Sequence, residues 1–162
     1  MKIKLIASGS ITAPHGFRAG ATCAGIKKKD GLDLGILFSE VPGATAALFT
    51  TNRIKAAPVV LCQQRLRRER VVAVVVNSGC ANACTGEQGL ADAEEMAKLA
   101  AEAIGASPED VLVASTGVIG QPLPMERLRD GIGQIVLTRD GGHELAKAMM
   151  TTDCAQGSSN QD

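Results

Sequence analysis

The segment Val71–Val76 places the strongest constraint on how this chain can fold. It contains only valine and alanine, without the alternation of apolar and polar residues that marks a strand with one solvent-facing side. Such a run predicts a β-strand that is buried on both faces. The rest of the chain must therefore supply packing layers on both sides of one sheet.

A second strand is predicted to begin at Val111 and to stop at a turn formed by Ser115–Gly117. Both strands lead through a polar loop into a helix, predicted over Glu87–Ile104 and Leu123–Ile135. If the strands run in the same direction, their two loops lie side by side and form one site. Backbone N–H groups at such a glycine-bearing turn bind anions, either a phosphate or the oxyanion of a transition state. The alternative is that the glycines only permit a tight connection.

The loop after the first of these strands, Asn77–Gly86, is rich in small and amide side chains. Loops at the end of a buried strand often carry ligand contacts, which makes Asn77, Ser78 and Asn82 candidate contacts. The alternative interpretation is a local turn followed by a helix cap. Thr85 and Gln88 have the spacing of a capping box for the next helix.

The first third of the chain predicts consecutive strands joined by hairpins, which favours an antiparallel or mixed sheet. A last helix is predicted over His143–Met150, after a Gly-Gly break. The predicted strands of the first third are, in order, Lys2–Ala7, Phe17–Lys27, Leu34–Ser39, a strand within Pro42–Thr50, and Pro58–Gln63.

Charge and composition argue against several classes of partner. The 17 basic and 17 acidic residues balance, so no overall field attracts nucleic acid or an anionic membrane. With three Phe and neither Tyr nor Trp, the chain has little from which to build a base-stacking platform. No apolar run approaches the ~20 residues that span a bilayer. The first residues are too short in their apolar part for a secretory signal, so we expect a cytoplasmic protein.

The five cysteines are odd in number and irregularly spaced. In a chain without a secretory signal, reduced thiols are the expected state. Cys80 and Cys84 are close in sequence, but His15 and His143 lie far from them. No tetrahedral ligand set is completed, and we expect no metal site.

The two polar loops, together with five further motifs, closely resemble the bifunctional ornithine acetyltransferase / N-acetylglutamate synthase family (glutamate N-acetyltransferase). The resemblance covers roughly residues 14–153. It implies an α/β fold with mixed β-sheets sandwiched by helices, and an acetyltransferase α-chain-like domain over residues 1–153. The further motifs are Gly16–Gly20, Phe49–Arg53, Lys55–Pro58, Gly86–Gly89 and Met150–Asp153.

The resemblance also implies an activity. In that family a precursor cleaves itself before a threonine, and the new N-terminal Thr of the β chain carries an acetyl group from N-acetylornithine to glutamate, in arginine biosynthesis. Thr116 and Gly117 would form the oxyanion hole, and Thr151 would contact the substrate. The implied partner is the β chain in an (αβ)₂ heterotetramer. No cofactor is implied, although acetyl-CoA is a further co-substrate of the bifunctional enzymes.

The end of the sequence departs from the family pattern. Relatives continue after the Thr-Thr-Asp motif to a Lys-Gly-Ser-Gly segment and the cleavage site, which residues 154–162 do not contain. The tail can be encoded by codons that give Ala-Pro-Lys-Glu when the reading frame is shifted by one base. We therefore expect residues 154–162 to be an aberrant or disordered tail produced by a frameshift.

Two other functions remain alternatives to the α chain of an active enzyme. One is a non-catalytic partner or an inactive truncated remnant of the same fold. The other is a nucleotide-binding domain that uses Ser115–Gly120 for phosphate, although no P-loop Lys follows that turn.

Overall fold

The structure, a computed structural model, describes residues 8–28, 31–68 and 70–151. The strands of this part are β1 (Phe17–Thr22), β2 (Leu34–Gly43), β3 (Val71–Cys80) and β4 (Val111–Val118). The helices are α1 (Ala57–Arg65), α2 (Gly86–Ile104), α3 (Met125–Ile132) and α4 (Gly142–Met149), and two short 3-10 turns span Leu66–Arg68 and Pro108–Asp110. Among the described helices, none is long and apolar enough to cross a membrane.

The strands form one mixed sheet in the order β1-β2-β3-β4. β1 pairs antiparallel with β2 and β2 antiparallel with β3, whereas β3 and β4 are parallel. A parallel pair needs a long crossover connection, and α2 provides it. The condition for the two loops to lie side by side, that the two strands run in the same direction, is met.

Helices cover both faces of the sheet. On one face, Leu34, Ile36 and Val75 are almost completely buried in a core that includes α1, α2 and α3. On the other face α4 packs closely, because a Cβ added to Gly35 would lie 2.7 Å from Leu145 Cδ1. The predicted α/β fold with a mixed sheet sandwiched by helices is confirmed.

The strand predicted at Val71–Val76 is confirmed, and its burial on both faces is nearly complete, with only Val74 part-exposed. The crossover helix α2 begins one residue before its predicted start and ends where predicted. Gly105 ends it in the left-handed conformation, at φ +69°, which glycine adopts without strain. The small residues that face the core along α2 are Ala93, Ala97, Ala100 and Ala101.

Two predicted helices in the last third differ from the structure in their bounds. α3 was expected over Leu123–Ile135 and occupies Met125–Ile132, because Pro124 immediately precedes it and favours extended backbone before it. The last helix was expected over His143–Met150, and α4 is shifted by one residue toward the N-terminus.

Strand predictions for the first third are partly wrong. β1 ends at Thr22 rather than at Lys27, because the chain turns there around the Asp33 carboxylate, which accepts hydrogen bonds from three backbone N–H groups. β2 extends to Gly43, and residues 44–56 form neither helix nor strand. The predicted strand Lys2–Ala7 lies outside the described residues.

The predicted strand Pro58–Gln63 is wrong, since these residues belong to helix α1. Its valines favour a strand, but Pro58 is tolerated in a first helical turn. Leu61 and Cys62 are buried on the inner side of the helix. The Cys62 thiol exchanges hydrogen bonds with the backbone of Val113 on the edge strand β4. Tertiary packing therefore overrides local strand preference at this segment.

Candidate functional site

The two polar segments predicted to meet are paired residue by residue. Asn77 is opposite Ser115, Ser78 opposite Thr116, and Gly79 opposite Gly117. Both segments belong to the strands themselves, since β3 continues to Cys80 and β4 to Val118. The predicted turn at Ser115–Gly117 is therefore wrong, because parallel pairing extends through these residues and delays the end of each strand.

Glycine is required at the paired positions Gly79 and Gly117 by close backbone contacts. Gly117 has φ +133°, and a Cβ added to it would lie 2.3 Å from the Gly79 carbonyl carbon. A Cβ added to Gly79, at φ +114°, would lie 2.9 Å from the backbone of Ile26 and Lys27. Three backbone segments thus stack without intervening side chains. Gly117 is nevertheless exposed at the surface.

A cleft of about 480 Å³ opens beside this stack. Thr116, Gly117 and Thr151 all line it, which brings together the three residues predicted for the oxyanion hole and the substrate contact. Thr116 is half-buried, and the other two are exposed. The other lining residues are Lys27, Lys28, Gly79 and Val118. Their catalytic and binding roles stay predictions.

Register explains how Thr116 and Thr151 reach the same cleft. Residues paired across neighbouring strands share a face of the sheet, so Thr116 lies on the same face as Ser78. The Ser78 hydroxyl donates a hydrogen bond to the carbonyl of Ala148 near the end of α4. Thr151 follows Met150, the C-cap residue of that helix. The cleft therefore lies where the α4 side of the sheet meets the ends of β3 and β4.

The three candidate loop contacts do not reach the cleft. Asn77, Ser78 and Asn82 are each 0% exposed. The Asn77 amide donates to the Cys80 carbonyl at 2.9 Å, and the Asn82 amide donates to the Gly89 carbonyl at 2.7 Å. In the described part of the chain these side chains support the backbone, and ligand contact by any of them stays a prediction.

The predicted capping box is wrong. The Thr85 hydroxyl donates to Asn82 Oδ1 at 2.7 Å, and the Gln88 amide donates to Asp92 Oδ1 at 2.7 Å. Asn82, held at φ +47°, thus ties the loop to the first turn of α2 from outside the helix. At the N-terminus of α2 itself, the structure shows no side-chain hydrogen bond that caps the helix.

A family profile decides which group of proteins this chain resembles. The profile described as the ArgJ family matches residues 18–161. The chain belongs to the ArgJ family. This confirms the family predicted from the paired loops and the five further motifs.

Curated relatives of this ArgJ-family chain are close in sequence but much longer. The arginine biosynthesis bifunctional protein ArgJ of Dehalococcoides mccartyi is 52% identical over 153 residues, which are 93% of this chain and 38% of that protein. The protein of the same name from Symbiobacterium thermophilum is 54% identical over 150 residues, 90% of this chain and 37% of that protein. This chain therefore spans less than two fifths of the relatives it matches.

Two solved structures of ArgJ-family proteins share the fold. The arginine biosynthesis bifunctional protein of Bacillus halodurans matches with a TM-score of 0.88 and 40% identity, over 93% of this chain and 80% of that chain. Ornithine acetyltransferase from Mycobacterium tuberculosis, solved in complex with ornithine, matches with a TM-score of 0.90 and 43% identity, over 94% and 84% of the two chains.

Sequence reasoning missed two residues of the cleft in this ArgJ-family chain, Lys27 and Lys28. Lys27 was expected at the end of the predicted strand Phe17–Lys27, and Lys28 in the polar turn that follows it, which is the usual setting for a run of lysines. The feature of the sequence that could have identified these lysines is Asp33, an acidic residue directly before the strand that begins at Leu34. Its buried carboxylate accepts hydrogen bonds from the backbone N–H groups of Ile26 and Lys27 and so fixes the lysine segment against β3.

The cysteines occupy two different environments. Of the four cysteines within the described residues, Cys62 and Cys80 are buried, Cys23 and Cys84 are exposed, and all four are free thiols; the fifth, Cys154, lies outside that part of the chain. Burial raises the pKa of the Cys62 thiol, an effect that its hydrogen bond with Val113 and the nearby Arg65 partly offset. Among the described residues, His, Cys, Asp and Glu side chains form no cluster of three that could hold a metal ion.

Proposed function

We propose that this chain is the N-terminal, α-chain part of an acetyltransferase that moves an acetyl group from N2-acetyl-L-ornithine to L-glutamate in arginine biosynthesis. The observation that carries the proposal is the cleft in which Thr116, Gly117 and Thr151 meet. Membership of the ArgJ family supports it, as does the name of the ornithine-bound relative.

The Thr116 hydroxyl and the Gly117 backbone N–H suit the stabilisation of an oxyanion. When a nucleophile attacks the acetyl carbonyl, its oxygen becomes a tetrahedral oxyanion that needs preorganised donors. The glycine stack holds Gly117 rigidly, and the pairing with Ser78 fixes Thr116. Donors fixed before the reaction need no rearrangement when the charge develops.

We assign the nucleophile to an N-terminal threonine of a β chain. Its hydroxyl oxygen forms a bond to the acetyl carbon of N-acetylornithine, and its own α-amine accepts the hydroxyl proton. The carbon–nitrogen bond then breaks, and ornithine leaves with that proton on its amine. The glutamate amine attacks the resulting ester in the same way, which releases N-acetylglutamate and restores the threonine. The acyl-enzyme removes any need for a bound cofactor, and acetyl-CoA is an alternative acetyl donor.

Chain lengths among the relatives support an enzyme made of two chains. This chain covers 80% and 84% of the matched chains in the solved structures, but 38% and 37% of the curated relatives. The solved chains are therefore roughly half as long as the full-length relatives. We propose that two α and two β chains assemble into a heterotetramer.

We also propose that Thr151, which lines the cleft, contacts the amino-acid substrate.

Co-expression with the C-terminal part of a curated relative tests the proposal. The assembled complex should turn over N-acetylornithine continuously when glutamate is present to accept the acetyl group, and without glutamate the release of ornithine should stop at about one equivalent per active site. Mass spectrometry should find an acetylated threonine at the N-terminus of the supplied chain when glutamate is omitted. A well-assembled complex that releases no ornithine and carries no acetyl group would reject this function.

A further inference from the structure

Two lysines of the cleft have unused hydrogen-bonding capacity. Lys27 is half-buried, and its ammonium donates to the carbonyl of Leu32 at 2.9 Å and, more weakly, to that of Ala148 at 3.5 Å. An ammonium has three donors, so one remains. In the described part of the chain, neither Lys27 nor Lys28 forms an ion pair, and the lining of the cleft contains no acidic side chain.

The lysine segment is fixed close to the proposed oxyanion donors. Asp33 is 0% exposed, and its carboxylate is occupied by the N–H groups of Ala24, Ile26 and Lys27. The Ile26–Lys27 backbone in turn rests directly on Gly79, the partner of Gly117. The negative charge of Asp33 thus holds the backbone, while the lysine side chains line the cleft.

The substrates of the proposed function, on which this inference rests, place an anion at this position. In N-acetylornithine, only the amide nitrogen and one carbon separate the α-carboxylate from the acetyl carbonyl. Glutamate has the same arrangement around the amine that accepts the acetyl group. An acetyl carbonyl at Thr116 and Gly117 therefore brings the α-carboxylate to the neighbouring wall of the cleft.

We propose that Lys27 and Lys28 bind the α-carboxylate of the amino-acid substrates and select α-carboxylates over neutral analogues. Lys27, anchored by two carbonyls, provides a fixed charge, and Lys28, which is exposed, closes on the ligand. Hydrogen bonds between charged partners are stronger than neutral ones. The pair thus determines specificity without taking part in the chemical step.

Calorimetric binding to the assembled complex tests this inference without turnover. The probes are L-glutamate and L-isoglutamine, its α-amide, which differ only at the α-carboxylate. The parent complex should bind glutamate roughly 10- to 100-fold more tightly than isoglutamine. Lys28→Gln should reduce this preference by about tenfold, whereas Lys28→Arg should keep most of it. Lys98→Gln is the control for loss of one charge, since Lys98 lies on α2 in an exposed pair with Glu102 and does not line the cleft.

The inference and the proposed function fail in different ways. An unchanged preference for glutamate in Lys28→Gln, or no preference in the parent, overturns the carboxylate site even if the complex releases ornithine. Conversely, an inactive complex that prefers glutamate, and loses that preference in Lys28→Gln, supports the carboxylate site and rejects the acetyl transfer.

Discussion

Thr116 is the residue at which the proposed chemistry is most directly testable. Thr116→Ala in the assembled complex should lower kcat by about 10²- to 10³-fold, the usual effect of losing one oxyanion donor. KM should change little, because the neutral ground-state amide does not yet carry the charge that the hydroxyl stabilises. Steady-state kinetics of ornithine release measure both constants.

Thr116→Ser is the matched variant for this prediction, because it keeps the hydroxyl and removes only a methyl group. We expect it to retain most of the parent kcat. An unchanged kcat with a raised KM in Thr116→Ala would instead assign Thr116 to ordinary substrate binding.

Gly117 should tolerate no side chain. Gly117→Ala puts a Cβ 2.3 Å from the backbone of Gly79 at φ +133°, so steric overlap and backbone strain act together. We expect it to lower the free energy of unfolding by about 3 kcal/mol or more, measured by urea denaturation. Gly133→Ala is the control, since Gly133 has a helical φ of −64° and a Cβ added there would lie 3.7 Å from its nearest neighbour, the Asp130 carbonyl oxygen. It should change stability by less than about 1 kcal/mol, and equal effects for the two variants would contradict the stacked-backbone interpretation.

At the scale of elements, α1 protects the edge strand β4. The Cys62 thiol donates to the Val113 carbonyl at 3.2 Å and accepts from its N–H at 3.4 Å, and Arg65 donates to the Val111 carbonyl. These side chains occupy backbone groups that an edge strand otherwise leaves open to another strand. Cys62→Ala should therefore cost about 1–2 kcal/mol of unfolding free energy. The exposed Cys23 provides the control, and Cys23→Ala should stay within about 0.5 kcal/mol.

The stabilisation by Cys62 should also depend on pH. Burial raises the pKa of this thiol in the folded chain above its ordinary value of 9.0, so the folded state holds the proton more tightly than the unfolded state. The contribution is fully present below pH 9.0 and is lost as the pH rises from there through the folded-state pKa. The difference in unfolding free energy between the parent and Cys62→Ala should narrow over that range in urea titrations. A constant difference would show that thiol ionisation does not contribute.

At the scale of the whole molecule, the isolated chain should show no acetyltransferase activity. The proposed mechanism needs a threonine whose free α-amine activates its own hydroxyl. Thr50, Thr51, Thr151 and Thr152 all lie within the chain and lack that amine. An assay of ornithine release from N-acetylornithine with the purified chain should give no turnover. Turnover by the chain alone would move the nucleophile to one of its own side chains.

The isolated chain should also self-associate. An apolar groove of about 190 Å³ that includes Phe17, Leu37 and Leu112 opens on the sheet, and Leu48 and Val136 are 102% and 73% exposed. Exposed apolar surface of this kind promotes association. Sedimentation velocity should show concentration-dependent association that co-assembly with the C-terminal part of a relative suppresses. A chain that stays monomeric at all concentrations would indicate that this surface is compatible with solvent.

Elements with strong local signals could be predicted from the amino-acid sequence. Val71–Val76 was predicted as a buried strand because its apolar run leaves no polar face, and α2 was predicted because its small apolar residues repeat at helical spacing and Gly105 ends it. The family and three residues that share the cleft followed from motifs that stay contiguous in the chain.

Tertiary structure alone decided the features that depend on which segments come together. Ser78 and its partner Thr116 share a face of the sheet, but Ser78 is buried against Ala148 of α4, whereas Thr116 on the neighbouring strand lines the cleft. Residues 58–63 became helical because Leu61 and Cys62 pack against β4, a contact distant in sequence. Lys27 joined the cleft because Asp33 and the glycine stack hold its backbone there. Side-chain periodicity reports the preference of a segment, whereas the neighbours that a fold supplies determine what that segment can contact.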